Sequence, residues 1–362
     1  MSGASMRAPE ATLAADSIEP LDGEQLLRDM VAVPSPSGGE GALTSMLQRR
    51  LSAAGFDAHI DAVGNVIASW GTGGETIALV GHVDTAPGNI PMRRDGDSLY
   101  GRGTVDAKGP LAAACTAVSR LPRDRGRRYV VVGAVEEEAT SRGARHLAAT
   151  MVAPDALVIL EPSGWEGVTI AYKGSVRLRW ERSQPTGHGA GPLPSAGDHA
   201  MSFVRRLQDD AAIWSGEGGI FDRLDVRVLR LTAGSDGFVD RATVEIGLRV
   251  PPRCDFETLR ATLDDLSVDG ELTVDYADAA VRTDRSSPLA RSFIRAIREH
   301  GGAPRFKLKT GTSDLNVLAP VWRCPAVAYG PGNSRLDHTP DEHVELDDFH
   351  RAVSVLEAAL RP

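Results

Sequence analysis

Five short stretches of this chain carry side chains able to do chemistry, and each closes an apolar run or lies in a loop. Gly81-His82-Val83-Asp84 ends the run TIALVGH (76–82). Side chains two apart in an extended chain share one side, so Asp84 can hold one imidazole nitrogen of His82 and turn the other toward a metal. A polar turn without a metal is the plain alternative. The stretch YGRGTVDAKGP (100–110) is glycine-rich, but Asp106 stands where GxGxxG needs its third glycine, and no GxxxxGK-Ser/Thr occurs. A phosphate cradle is therefore excluded. A lone carboxylate just before a helix suits a metal instead, with two oxygens able to bridge two cations. Glu136, Glu137 and Glu138 follow the apolar run YVVVGAV (129–135). On a surface such a run means nothing, but at the end of a buried strand unpaired carboxylates are costly and cations compensate them. Glu161 ends DALVILE, and His338 and His343 stand in LDHTPDEHVEL. Together these give His, Asp, Glu, Glu and His with no thiolate, a set suited to zinc, cobalt or manganese in a two-metal hydrolytic site.

The surrounding pattern is that of an α/β fold. Helical spacing covers 21–31 and 41–53, separated by the Pro/Gly/Ser loop VPSPSGGEG. Strand-like runs at 65–70, 76–82, 129–135 and 155–161 alternate with helical patterns at 109–121 and 141–151. Near-continuous apolar strands interleaved with helices argue for a mixed sheet wrapped by helices. The character changes near residue 172. VRLRWE and ATVEIGLRV alternate, and two helical pieces accompany them, a β-α-β-β-α-β order read as an inserted α+β, ferredoxin-like unit. The expected organisation is a loose tail over 1–18, a catalytic domain over 19–171 and 284–362, and a lid over 172–283.

Composition narrows the function classes. At roughly 150 residues per domain, 362 residues make two or three domains, or one catalytic domain with an insertion. A net charge of −9 argues against nucleic-acid binding through a basic face. No apolar run approaches the roughly 20 residues that cross a bilayer. Cys115, Cys254 and Cys324 are far apart and lack CxxC spacing, which excludes a disulfide framework and points to a reducing compartment. The N-terminal residues lack the basic start and apolar stretch of a signal peptide, so the cytoplasm is the expected location. Of 40 basic residues only Lys108, Lys173, Lys307 and Lys309 are lysine.

The order GHVDT, GRGTVDAKGP, EEE…SRGA, LEPS, YKG and DHTPDEHV resembles the co-catalytic zinc amidohydrolases. That family includes acetylornithine deacetylase, succinyl-diaminopimelate desuccinylase and carboxypeptidase G, and the resemblance runs from about residue 22 to the C-terminus. KGP after the aspartate, EPSGWEG, KTGTSDLNV and AYGPG look closest to a carrier-protein branch. Its members release lysine or ornithine from the C-terminal glutamate of a small acidic amino-group carrier protein, in lysine and arginine biosynthesis.

The resemblance implies two divalent metal ions, zinc or cobalt. His82 and Glu161 would bind one, Glu138 and His338 the other, and Asp106 would bridge them. Asp84 would orient His82, Glu137 would be the general base, and a cis peptide would follow Asp106. It further implies His188 on the lid as oxyanion donor, although PTGHGAG departs from the usual GxxAHxS. Arg249, Lys309, Gly311 and Thr312 would meet the substrate, and the lid would form a homodimer. Arg305, Lys307 and Lys309 are expected to form part of a basic rim for the carrier. A small-molecule deacylase, acting on N-acetyl-ornithine, N-acetyl-lysine or succinyl-diaminopimelate, is the alternative, and an exopeptidase a third. A metal-binding module without chemistry is disfavoured by the intact Glu137. His343 and the remaining histidines receive no role.

Overall fold

A computed structural model describes residues 19–123 and 126–361; the expected tail over 1–18 lies outside the described residues. The main sheet has nine strands. Its path runs Asp57–Ile60, Val66–Trp70, Arg127–Ala134, Glu75–His82, Ala156–Ile159, Ala326–Ala328, Gly167–Tyr172 and Val281–Arg282, with Arg305–Lys309 also paired to Gly167–Tyr172. At its centre Glu75–His82 is parallel to both Arg127–Ala134 and Ala156–Ile159, with His82 opposite Ala134 and Val80 opposite Ile159. Parallel neighbours end at the same edge of a sheet, so the three loops that follow these strands converge there. This is the mixed, helix-wrapped α/β sheet the sequence suggests.

Both faces of the sheet are covered. Helix Lys108–Ser119 is buried along its whole length, packed between the sheet and helices Gly23–Val31 and Leu346–Leu360. Small residues on every side, AAAC among them, allow that burial. The opposite face carries Arg142–Thr150 and Asp314–Trp322 over Ala78, Val80, Val132 and Ile159. Local signals set the helix ends: Asp22 and Ser287 each accept a bond from the first-turn backbone, and Pro288 follows Ser287. No described helix is long and apolar enough to cross a membrane.

Between Lys173 and Val281 the chain builds a separate antiparallel sheet. Its order is Asp225–Ser235, Val239–Val250, Gly174–Pro185 and Glu271–Asp278. Helices Ala196–Ser215 and Phe256–Leu266 cover one face, closing a second core around Trp180, Phe203 and Ile246. The strand order second-third-first-fourth with two crossover helices is the ferredoxin-like arrangement. The two crossings into this inserted unit are tied together: Asn316 Nδ2 donates to the carbonyls of Lys173 (2.9 Å) and Ala279 (2.8 Å). Lys173 itself is buried, its ammonium on Asp225 at 2.6 Å and the Arg223 carbonyl at 2.7 Å. Arg145 reaches Asp278 at 2.7 Å across the same boundary.

Candidate active site

The converging loops bring the expected residues to one end of the sheet. His82 is the last residue of its strand and is buried, as is Asp84. His82 Nδ1 lies 2.9 Å from the Asp84 carbonyl, which can only accept, so Nδ1 carries the proton and Nε2 presents its lone pair. That Nε2 is 3.1 Å from Asp106 Oδ1 and 3.8 Å from Glu161 Oε1. Asp84 does more than orient His82. Its carboxylate accepts the backbone N–H groups of Glu137 and Glu138, each at 3.0 Å, and the Ser37 hydroxyl at 2.7 Å. One buried acid thus fixes the end of one strand and the loop after its neighbour.

The three glutamates separate by backbone conformation. Glu136 has φ 58°, and its carbonyl receives the N–H groups of Thr140 and Ser141 at 3.0 and 2.6 Å. Its carboxylate is bound by Thr140 and Arg142. Glu136 therefore anchors the loop, and Glu137 and Glu138 project into the cleft. Glu138 Oε1 lies 2.8 Å from His338 Nε2, which is also 3.1 Å from Asp106 Oδ2. His338 is itself held at φ 61°, a left-handed conformation that costs about 1–3 kcal/mol and clusters at functional sites. Asp106 precedes a cis peptide bond, as the resemblance implied. Gly103 in the same loop has φ 87°, and a Cβ there would lie 2.9 Å from both Lys108 and Thr85.

Two donor groups result: His82, Asp106 and Glu161; and Asp106, Glu138 and His338. Within each, the donor atoms lie within 4.8 Å of one another. Donors about 2.0–2.2 Å from a tetrahedral zinc lie roughly 3.3–3.6 Å apart, and the separations of 2.8 to 3.8 Å given above straddle that spacing. A nitrogen lone pair facing carboxylate oxygens is repulsive unless a cation intervenes, and in its absence a proton takes that place. Burial alone would lower His82, but Asp106 and Asp84 outweigh it and raise it well above the usual histidine range. Hydrogen bonds to Asp106 and Glu138 lift His338 to about 10. Burial raises Asp106, yet the bonds from His338 and His82 hold it well below an ordinary carboxylate. Glu161 and Glu137 are pushed well up, first by burial and then by neighbouring carboxylates, against the lowering pull of His82. The residues fit a pair of divalent cations.

Asp106, Glu137, Glu138, Glu161 and His338 line a cleft of about 420 Å³. Arg249, Lys309, Gly311 and Thr312 form part of its wall, and Arg249 donates to the Thr312 hydroxyl at 3.0 Å. Two expectations fare differently. His188 is outside this cleft; it lines a separate cavity of about 580 Å³ in the inserted unit with His199. Lys307 is half-buried and its ammonium is spent on the Ser163 carbonyl, while Arg305 pairs with Glu166 at 3.3 Å, so only Lys309 of the expected rim faces the cleft. His343 belongs to neither donor group; it contacts the Asp341 carbonyl and Glu345. The sequence reading missed Asp337, which lines the cleft beside Lys309 and leaves one buried oxygen without a partner, and Asp314, buried close behind Glu137 and raised to about 6 by burial. Their signal was adjacency to recognised motifs, in LDHTP and TGTSD.

A mixed sheet with a ferredoxin-like insert and two carboxylate-histidine groups sharing one aspartate defines a metal-dependent amidohydrolase. Residues 78–361 match peptidase family M20/M25/M40, and the chain belongs to that family, whose members work with divalent metal ions. Among its relatives, the "[LysW]-lysine hydrolase" of Deinococcus radiodurans is 43% identical over 346 residues, covering 93% of this chain and 95% of the relative. The "[LysW]-lysine/[LysW]-ornithine hydrolase" of Saccharolobus islandicus is 27% identical, covering 93% and 94%. Two solved structures share the fold at 18% identity. They are aminopeptidase PepT of Bacillus cereus (TM-score 0.76, 94% of this chain and 98% of that one) and the M20 metallo-carboxypeptidase Sso-CP2 of Sulfolobus solfataricus (0.75, the same coverage).

Proposed function

We propose that this enzyme releases lysine, and/or ornithine, from the C-terminal glutamate of LysW, a small acidic amino-group carrier protein, in lysine or arginine biosynthesis. One observation carries the reading beyond amide hydrolysis. The cleft that holds both donor groups and Glu137 also holds Arg249, Lys309 and the carboxylate Asp337, and a lysine or ornithine leaving group carries one carboxylate and one distal ammonium. The high identity to the Deinococcus radiodurans relative along nearly the whole chain supports the same substrate.

His82, Asp106 and Glu161 would hold one divalent cation, zinc or cobalt by this donor set, and Asp106, Glu138 and His338 the other. When bound, the pair polarises the amide carbonyl and makes a nearby water easier to deprotonate. Glu137 takes that proton and later delivers it to the leaving amine. Asp84, through its bonds to the Glu137 and Glu138 N–H groups, keeps base and ligand in register. Arg249, oriented by Thr312, receives the α-carboxylate of the leaving amino acid as a bidentate pair, with Lys309 and the Gly311 backbone beside it. Asp337 receives the distal ammonium. His188 serves as oxyanion donor once a lid brings it over the cleft, either by closure or from a second copy. The edge strand Asp225–Ser235, with Val228, Leu229 and Leu231 exposed, supports a homodimer through the lid. A cytoplasmic setting follows from the biosynthetic role.

Lys307 is spent on the Ser163 carbonyl and the exposed Arg305 pairs with Glu166, which thins the basic rim and favours the alternative of a small-molecule deacylase with the same chemistry. Turnover by the cobalt-loaded enzyme separates the two. One substrate is lysine joined through its α-amine to the carrier's C-terminal glutamate, the other N-acetyl-ornithine, with Glu137→Ala as control. Release of lysine from the carrier supports the proposal; faster cleavage of the acetyl compound replaces it with the deacylase.

A further inference from the structure

Glu342 lies four residues past His338 and is among the most buried acids of the chain, with a side-chain exposure of 1%. Its Oε1 accepts three backbone N–H groups of the metal loop: Gly103 at 2.9 Å, Val105 at 3.0 Å and Asp106 at 3.2 Å. Its Oε2 lies 2.8 Å from Arg102 Nη1, and its backbone carbonyl receives the Gly101 N–H at 3.2 Å. Arg102 extends the same connection. Nη1 also reaches the Thr339 carbonyl at 3.4 Å, and Nε donates to the Gly88 carbonyl at 3.2 Å. Three segments meet at this pair. Residues 85–88 continue from His82 and Asp84, residues 101–106 end in Asp106, and residues 338–342 begin with His338.

We propose that the Glu342–Arg102 pair is the positioning device of the metal centre, setting the distance between Asp106 and His338 rather than touching metal or substrate. The physical case rests on what three converging N–H groups require. They form an anion-binding concavity, and a full negative charge fills it where a neutral oxygen would bind weakly. A buried carboxylate with one guanidinium partner and three amide donors is compensated on every side, which makes it rigid. Asp106 belongs to both donor groups, so a shift of its backbone changes both at once. Partners of this kind behind metal ligands are worth about 10–100-fold in metal affinity or activity.

The inference rests on the two-metal reading of the site but not on the identity of the substrate. Its test uses Co²⁺ titrated into the metal-free full chain, followed by visible d–d absorption and calorimetry, with thermal unfolding of the metal-free protein alongside. The wild type is expected to bind two Co²⁺. Glu342→Gln keeps shape and one acceptor but loses the charge. It is expected to weaken the looser Co²⁺ site about 10–100-fold and to alter its absorption band, while kcat falls and KM for substrate stays within about twofold. Arg102→Gln, which leaves the three N–H bonds in place, is expected to give a smaller shift in the same direction and keeps the question open to test if Glu342→Gln does not fold. Glu342→Asp, retaining the charge, is expected to recover part of the affinity. Two Co²⁺ bound with wild-type affinity and spectrum in both Glu342→Gln and Arg102→Gln, even at a lowered Tm, would overturn the proposal and leave the pair purely structural. Failure of the wild type to bind two metals would instead overturn the reading of the site itself.

Discussion

Asp84→Asn is the most informative single change at the site, because one buried side chain serves three segments. The carboxylate accepts the Glu137 N–H on one oxygen, and the Glu138 N–H and Ser37 hydroxyl on the other. An asparagine has the same shape but only one acceptor oxygen. Whichever way it turns, its NH₂ group faces a backbone N–H, and that donor is left buried without a partner, at a cost of about 1–3 kcal/mol. For a unit of this size about 1 kcal/mol moves Tm by roughly 2–4 °C. The second consequence falls on His82, whose protonated Nδ1 keeps the Asp84 carbonyl but loses the nearby negative charge at 3.4 Å, and about 10–100-fold weaker metal binding is expected.

The pH dependence has a definite sign. Burial alone would raise Asp84, but His82, Ser37 and the Glu138 N–H outweigh it and lower it. A carboxylate lowered on folding contributes stability that is present above its unfolded value, about 3.9, and is lost as pH falls through the folded value. The difference in unfolding free energy between wild type and Asp84→Asn, measured on metal-free protein by urea denaturation, is therefore expected to be flat between pH 5 and 7 and to shrink below pH 4. A variant with wild-type stability and wild-type Co²⁺ affinity would refute the reasoning, and a difference that grew on acidification would reverse its electrostatic part.

Three further outcomes are expected. Glu137→Gln should lower kcat by about 10²–10⁴ while binding two Co²⁺ as the wild type does; lost metal binding in calorimetry would make Glu137 a ligand instead of a base. Metal uptake should release protons, because Asp106 and Glu138 lift His338 to about 10 in the metal-free chain. The observed affinity should therefore rise with pH, and calorimetry in buffers of different ionisation enthalpy should count at least one proton, a count of zero refuting it. Asp337→Asn should cut kcat/KM for a lysine leaving group about 10-fold or more, the order of a lost charged hydrogen bond of about 1.5–3 kcal/mol, with little change for a neutral leaving group of equal length. An equal loss on both would remove Asp337 from substrate recognition.

Much of the site was readable because parallel strands advertise their ends. The runs TIALVGH, YVVVGAV and DALVILE are apolar almost to the last residue, so a histidine or acid that follows stands out, and parallel pairing brings those ends together. What stayed hidden depends on backbone irregularity. In a regular strand Lys307 and Lys309 would share one side and form a rim together. The register shifts between Lys307 and Leu308, which frees Lys307 to turn back to Ser163 while Lys309 meets the cleft. The shift between Val228 and Arg230 likewise interrupts the alternation of the strand Asp225–Ser235. By residue type alone the three consecutive glutamates look equivalent; the resemblance singled out Glu137 and Glu138, and the positive φ of Glu136 is the backbone feature that turns the first one aside. Glu342 was passed over because its importance lies in four partners more than 230 residues away, a pairing between DHTPDEHV and GRGTVDAKGP that no spacing within either stretch announces.

The join between the two units carries a mechanical consequence. Only two stretches of chain enter and leave the inserted unit, and one carboxamide, that of Asn316, grips the carbonyls of both. Two fixed points define a line, and a rigid body held at two points retains a single soft coordinate, rotation about that line. The Arg145–Asp278 pair and the Arg249–Thr312 bond cross the same join; rotation of the inserted unit about that line would break them and leave the Asn316 grip closed. In this sense the join has its pin already set, and any ligand that drew Arg249 away from Thr312 would loosen one of these two contacts.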